Sequence, residues 1–167
     1  MKYDLIVFAG APGSGKTTIA NLIQKELNSP LIDLGWLREY HLDPMWKKAN
    51  KKEAKMAFEN LVFILKNYKK NGYKNVIVTD LLEDMTSQIP RLFSKENYII
   101  IRLMVNNDNE LKKRVIGNRD SGFKNFKKSI LLNKAMQKKG SLKNEIRIDN
   151  THNNISKVLN EILEIVK

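Results

Sequence analysis

Apolar residues follow two rhythms along this chain, and the rhythms alternate. Leu5-Ile6-Val7-Phe8-Ala9, Leu31-Ile32-Asp33, Val76-Ile77-Val78-Thr79 and Tyr98 to Val105 are short, nearly continuous apolar runs. Runs of this kind read as strands buried on both faces, as in a parallel sheet. Between them the apolar positions recur at helical spacing. Ile19, Ala20, Ile23 and Leu27 form one stripe. Ala54, Ala57, Phe58, Leu61, Val62, Leu65 and Tyr68 form the longest, and Ile155, Val158, Leu159, Ile162 and Ile165 form the last. The pattern predicts strands over 3–9, 31–33, 75–79, 98–105 and 145–149. It predicts helices over 16–28, 34–42, 47–70, 108–118, 123–139 and 153–166, with a further short helix before Pro90.

The punctuation agrees with those boundaries. Ser29-Pro30, Asp43-Pro44, Asn71-Gly72 and Gly140 break the chain where the rhythms change. Asn107 reads as a helix cap, with Glu110 reaching back to it. Strands that alternate with helices predict a doubly wound α/β domain with a parallel sheet, and 167 residues suit a single domain. In such sheets ligands sit beyond the carboxyl ends of the strands, so the residues just after each strand carry the candidate chemistry.

After the first strand stands Gly10-Ala11-Pro12-Gly13-Ser14-Gly15-Lys16-Thr17, a complete G-x-x-x-x-G-K-[ST] phosphate loop between a strand and a helix. Its glycines let successive N–H groups converge on one anion, and the helix that begins near Lys16 adds the positive end of its dipole. Lys16 supplies a full charge to the β- and γ-phosphates. The Thr17 hydroxyl is placed to ligate Mg²⁺, and Thr18 extends the first helical turn. Binding of a nucleoside triphosphate, ATP with Mg²⁺, is the reading this stretch supports.

Asp33 closes the second strand. A carboxylate there is placed to take the proton of a substrate hydroxyl, or to cap the helix that follows. Arg38, five residues on, is placed to hold an anionic group of an acceptor, or lies in solvent. Trp36, Tyr40 and Trp46 are ring-stacking candidates that serve equally as packing. Asp80 closes the third strand and supplies the second nucleotide signature, an acid that holds Mg²⁺. Arg114 and Arg119, with Gly117 and Gly122 nearby, read as a lid over about 114–125 whose arginines close on the phosphates, or as a solvated basic face. Asp149-Asn150-Thr151 borders the nucleotide base or forms a plain turn. The acceptor is expected to bind against about 34–60 and 81–95.

Composition adds exclusions. The chain lacks cysteine, so it has no thiol nucleophile or disulfide framework, and two histidines make a structural zinc site an unsupported reading. No apolar run has the length of a membrane span, and Met1-Lys2-Tyr3-Asp4 leads into a strand without a signal-peptide pattern, so a cytoplasmic protein is expected. The net charge of +12 admits a polyanionic partner such as nucleic acid. That reading is not favoured, because 24 of the 30 basic residues are lysine in an asparagine-rich chain, a composition bias rather than an arginine–aromatic recognition surface.

Taken together, the phosphate loop, Asp33 to Arg38, Val76 to Asp80, Leu111 to Arg119 and Ile148-Asp149-Asn150-Thr151 resemble, in order, the small P-loop kinases. These include nucleoside monophosphate, shikimate, gluconate and polynucleotide kinases. The resemblance implies a five-stranded parallel sheet in the order 2-3-1-4-5, a lid, and ATP with Mg²⁺. It implies phosphoryl transfer with Asp33 as general base where the acceptor is a hydroxyl. In the monophosphate kinases an arginine follows the acid at Asp80 and grips the acceptor phosphate. Here the stretch reads Leu81-Leu82-Glu83-Asp84-Met85, which argues against a monophosphate acceptor. The expectation is an ATP-dependent kinase acting on a hydroxyl of a small molecule or of a nucleic-acid 5′ end. A nucleoside monophosphate kinase and a nucleotide-gated binding protein remain the alternatives.

Overall fold

A computed structural model describes residues 2–117, 123–152 and 154–167. Strand β1 (Leu5–Ala9) passes through the glycine-rich loop into α1 (Lys16–Leu27). β2 (Leu31–Asp33), α2 (Leu34–Glu39) and the long α3 (Lys51–Lys70) follow. β3 (Val76–Thr79) leads to two single-turn helices, α4 (Glu83–Thr86) and α5 (Ile89–Leu92). β4 (Tyr98–Met104), α6 (Asp108–Ile116), α7 (Phe126–Lys138), β5 (Glu145–Asp149) and α8 (Ile155–Val166) complete the order.

The five strands form one parallel sheet in the order β2-β3-β1-β4-β5, as the resemblance implied. β1 lies at the centre, and all five of its residues are buried. Because side chains alternate across a strand, Leu5, Val7 and Ala9 face one side and Ile6 and Phe8 the other. The first face, with Val76, Val78 and Ile100, packs under Ala57, Phe58, Leu61 and Leu65 of α3 and under Met85 and Ile89. The second, with Ile77, Ile99 and Ile148, packs against Ile19 and Ile23 of α1 and Val158, Ile162 and Val166 of α8. Each fully buried aliphatic side chain stabilises this three-layer core by about 1.5–3 kcal/mol. The layering holds the carboxyl ends of β1, β2 and β3 in one place.

Several boundaries differ from those expected, each for a local reason. α3 begins at Lys51 rather than at Lys47, because the Asn50 side chain accepts from the N–H groups of Lys52 and Glu53 and starts the helix there. Asp43 accepts from the N–H of Met45 and of Lys47, which holds the preceding stretch in turns. The short helix expected before Pro90 is α4, and Pro90 itself lies in the first turn of a second one, α5, where its missing N–H costs nothing. α8 starts at Ile155 behind an Asn154 cap. Asn107 caps α6 as expected, but Glu110 accepts from Arg114 Nε instead of reaching back.

One buried group was not legible in the apolar pattern. Arg102 lies within β4, opposite Ala9 on one side and Arg147 on the other, and is 2% exposed. Its Nη1 donates to Glu83 at 2.7 Å and its Nε to Glu145 at 2.9 Å. Burial alone would raise the Glu145 carboxyl, but Arg102 and Arg147 hold it below the usual carboxylate range. Arg102→Met would leave the Glu145 side chain, itself 0% exposed, with a weakened set of partners. The expected cost is about 3–5 kcal/mol, and a paired Glu145→Leu change recovers much of it. Urea unfolding of the single and double variants measures both.

Candidate active site

Three left-handed glycines shape the loop after β1: Gly10, Gly13 and Gly15 have φ of +137°, +89° and +97°. At Gly13 a side chain would also collide, since a Cβ would lie 2.8 Å from Val115 Cγ2 of α6. At Gly15 it would lie 2.6 Å from Asn150 Nδ2. α1 starts with no side-chain cap and no acidic residue in its first turn, whereas α3 and α6 are both capped by asparagine. The N–H groups of that first turn and the positive dipole end therefore remain available to an anion. Lys16 Nζ donates to the Gly10 and Ala11 carbonyls at 3.0 and 3.2 Å. Thr17 and Thr18 are exposed at the loop's mouth, and the Ser14 hydroxyl is buried with no protein partner in the loop.

Asp33 and Asp80 meet above Gly35. A methyl group at Gly35 would lie 2.8 Å from Asp33 Oδ1 and 3.3 Å from Asp80 Oδ2. The sheet register explains this. Asp33 stands opposite Thr79, so Asp80 emerges one residue beyond it on the neighbouring strand. Asp80 adopts φ +64°, a conformation that costs a residue with a side chain about 1 kcal/mol or more and recurs at functional sites. Asp33 caps α2, accepting from the Gly35 N–H at 2.7 Å. The cap and the carboxylate pair are thus the same group, so the two roles left open for Asp33 are compatible. Burial raises the Asp33 carboxyl to about 6, with the Asp80 charge adding to it, and the Gly35 and Trp36 N–H groups and Lys16 pull the other way. Asp80 as a whole is exposed, yet desolvation of its carboxyl by the surrounding protein raises it too, against the pull of Lys16 and Arg38.

Arg38 is neither solvated nor unengaged. Its Nε and Nη2 donate to the two Glu53 oxygens at 2.9 and 2.7 Å, and its guanidinium lies 4.5 Å from the Trp46 ring centre. His41 Nε2 lies 2.9 Å from Glu53 Oε1. The Arg38 hydrogen bonds hold the Glu53 carboxyl down to about 2. Trp36 and Tyr40, the other ring candidates, are exposed. Glu53 carries no sequence signal of this role, because a helix expected from residue 47 places it as one more charge among lysines, fifteen residues from Arg38. Beyond Glu53, a cleft of about 920 Å³ opens between α3 and α4–α5. It is lined by apolar Ala54, Phe58, Val62, Leu82 and Met85 together with polar Lys51, Asp84, Gln88 and Arg91.

Arg114 does not reach over the loop in this structure. Its Nε is held by Glu110 and its Nη2 donates to the Thr151 carbonyl at 2.7 Å, beside the turn after β5. Arg119 lies outside the described residues, as does Gly122. Asn150, in the turn after β5, is tied to the loop: its Nδ2 donates to the Ser14 carbonyl at 2.8 Å. Among the described residues no cluster of three or more metal-ligating side chains occurs. The chemistry of this site suits Mg²⁺ in another way. One carboxylate, one hydroxyl and the ligand's phosphates are its usual partners, and two converging carboxylates favour a cation between them. Among the described residues no helix is long and apolar enough to cross a membrane.

This sheet order, with a phosphate loop after its central strand, defines the fold of the small P-loop kinases. Residues 6–130 match the family described as an AAA domain, and the chain belongs to that family. Among solved structures it is similar to thymidylate kinase from Candida albicans, with a TM-score of 0.69, 16% identity, and coverage of 99% of this chain and 91% of that one. It is similar to shikimate kinase from Bacteroides thetaiotaomicron, with a TM-score of 0.68, 16% identity, and coverage of 96% and 97%. It is also similar to a gluconokinase from Sinorhizobium meliloti, with a TM-score of 0.68, 14% identity, and coverage of 95% and 89%. A comparison with curated proteins returned no match.

Proposed function

We propose that this protein is an ATP-dependent kinase that transfers the γ-phosphoryl group to a hydroxyl of a small molecule. The observation that carries the reading is the convergence of Asp33 and Asp80 over Gly35, within electrostatic reach of Lys16. The loop amides and the open end of α1 bind the phosphates. Lys16 exchanges the Gly10 and Ala11 carbonyls for phosphate oxygens. Thr17 and Asp80 would hold Mg²⁺, which supplies charge neutralisation on the phosphates when bound. Asp33 accepts the hydroxyl proton as the acceptor oxygen bonds to the γ-phosphorus and the bond to ADP breaks. Arg114 and Arg119 are the candidate lid arginines.

Two observations favour a hydroxyl over a phosphate acceptor. The converging carboxylates repel a phosphate dianion, and Arg38 uses two of its nitrogens on Glu53. The stretch 81–85 offers no cation in compensation. Arg38 then shapes the acceptor site through Glu53 and Trp46, and the apolar cleft beyond takes the acceptor's body. A nucleic-acid 5′ hydroxyl is the larger acceptor of the same chemistry. Steeply salt-dependent binding of a 5′-hydroxyl oligonucleotide would support it, and weak, salt-insensitive binding would remove it.

The raised Asp33 carboxyl sets a pH dependence. The base works only when ionised, so kcat/KM is expected to climb with pH through an acid limb near 6. A pH–rate profile measures it, and a profile flat from pH 5 to about 8 would exclude Asp33 as the base.

A further inference from the structure

Loop amides that converge on an anion leave their carbonyls pointing back into the protein, where each needs a donor. Lys16 Nζ meets those of Gly10 and Ala11, Ser129 Oγ that of Pro12 at 2.5 Å, and Asn150 Nδ2 that of Ser14. These donors are not equivalent. On the proposed reading Lys16 turns to the phosphates when nucleotide binds, and its two carbonyls lose it. The donors that keep their places are Ser129 and Asn150, which are 0% and 2% exposed. Asn150 follows β5 and is fixed by it. Its N–H donates to the Met104 carbonyl.

Ser129 comes from elsewhere, the second turn of α7, which begins directly after the segment expected to form the lid. α7 is held where it is by Asn133, which is 1% exposed and bonds reciprocally to the Val105 backbone. Its Nδ2 donates to the Val105 carbonyl at 2.7 Å, and its Oδ1 accepts from the Val105 N–H at 3.4 Å. Met136 and Leu132 of α7 pack with Ala11 of the loop itself and with Met104. A helix placed in this way can act on the loop through one polar contact.

We infer that Ser129 is a positioning residue of the phosphate site, acting through the Pro12 carbonyl. Its hydroxyl holds the Ala11–Gly13 turn in the shape that aims the loop amides at the phosphates, and it ties that shape to the docking of α7. This inference rests on the loop binding a nucleoside triphosphate. Gly-x-x-x-x-Gly-Lys-Thr spacing does not reveal it, because the donor lies 117 residues further along the chain.

The test is equilibrium binding of ATP and of inorganic tripolyphosphate to four proteins: the unaltered chain, Ser129→Ala, Ser129→Thr and Asn133→Ala. Ser129→Ala orphans the Pro12 carbonyl and is expected to weaken both ligands roughly tenfold. Ser129→Thr restores the hydroxyl and the affinity. Asn133→Ala lowers the thermal midpoint but weakens binding far less than Ser129→Ala. Ser129→Ala binding like the unaltered chain would overturn the inference. So would equal weakening in Ser129→Ala and Ser129→Thr, which assigns the loss to packing. Equal weakening in Ser129→Ala and Asn133→Ala would also overturn it, because helix docking alone then explains the effect. Failure of the unaltered chain to bind either ligand would instead overturn the phosphate-site reading beneath it.

Discussion

Asp33→Asn is expected to lower phosphoryl transfer by roughly 10²–10⁴-fold while leaving ATP affinity nearly unchanged. Asparagine keeps the shape, and its side-chain oxygen still caps α2 on the Gly35 N–H. What it cannot do is take a proton. The same change should stabilise the protein at neutral pH, and the sign follows from the direction in which the carboxyl is moved. The folded carboxyl titrates at about 6 against an ordinary value of 3.8. A group raised in this way favours folding while it is protonated, and that contribution is lost as pH rises from about 4 through about 6. At pH 7 the ionised Asp33 therefore destabilises the fold, with a ceiling of about 3 kcal/mol for a carboxyl raised from 3.8 to about 6. Asp33→Asn removes that penalty. Thermal melts at pH 4 and pH 7 should converge for the variant more than for the unaltered protein. A variant that transfers phosphate as fast as the unaltered protein would mean that Asp33 is only a helix cap.

Lys16→Ala is expected to act on binding and transfer together. The ammonium is the one full charge inside the loop, and its loss should weaken ATP roughly 10–100-fold, as a charge-assisted hydrogen bond does. Transfer at saturating ATP should fall by a further 10²–10³-fold or so, the usual effect of removing a donor aimed at developing charge. The two measurements separate the variants. Asp33→Asn spares binding, and Lys16→Ala does not. Lys16 also bonds the Gly10 and Ala11 carbonyls, so the empty loop of Lys16→Ala should exchange its amide hydrogens faster. Equal ATP affinity in Lys16→Ala and the unaltered chain would remove the loop from the phosphate site.

The fold was legible because local signals agreed with one another. Continuous apolar strands alternated with striped helices, and the phosphate loop stood where a parallel sheet places it. The sheet order came from resemblance, and Asp33 and Asp80 came from their position at strand ends. The rest of the site is built from long-range pairs that no spacing reports. Arg38 looked like a surface or acceptor-gripping arginine because Glu53, fifteen residues on, carried no pattern linking the two. Arg102 disappeared inside an apolar run because its partners sit on α4 and β5. Ser129 and Asn133 looked like ordinary polar positions of a basic helix, and only the packing of α7 on the loop shows their use. The Arg114 bond to Glu110 is an i,i+4 pair within α6, but its bond to the Thr151 carbonyl depends on how α6 meets the turn after β5.

The central claim is transfer to a hydroxyl, and the most direct test follows the γ-phosphate. The protein is incubated with γ-labelled ATP and Mg²⁺ against separate pools of nucleosides, nucleoside monophosphates, sugar acids, aminoglycosides and 5′-hydroxyl oligonucleotides, with Lys16→Ala and Asp33→Asn alongside. Label should pass into a hydroxyl-bearing pool and vanish with either variant. Label found on the phosphate of the monophosphate pool, or only in inorganic phosphate while ATP binds tightly, would contradict the account.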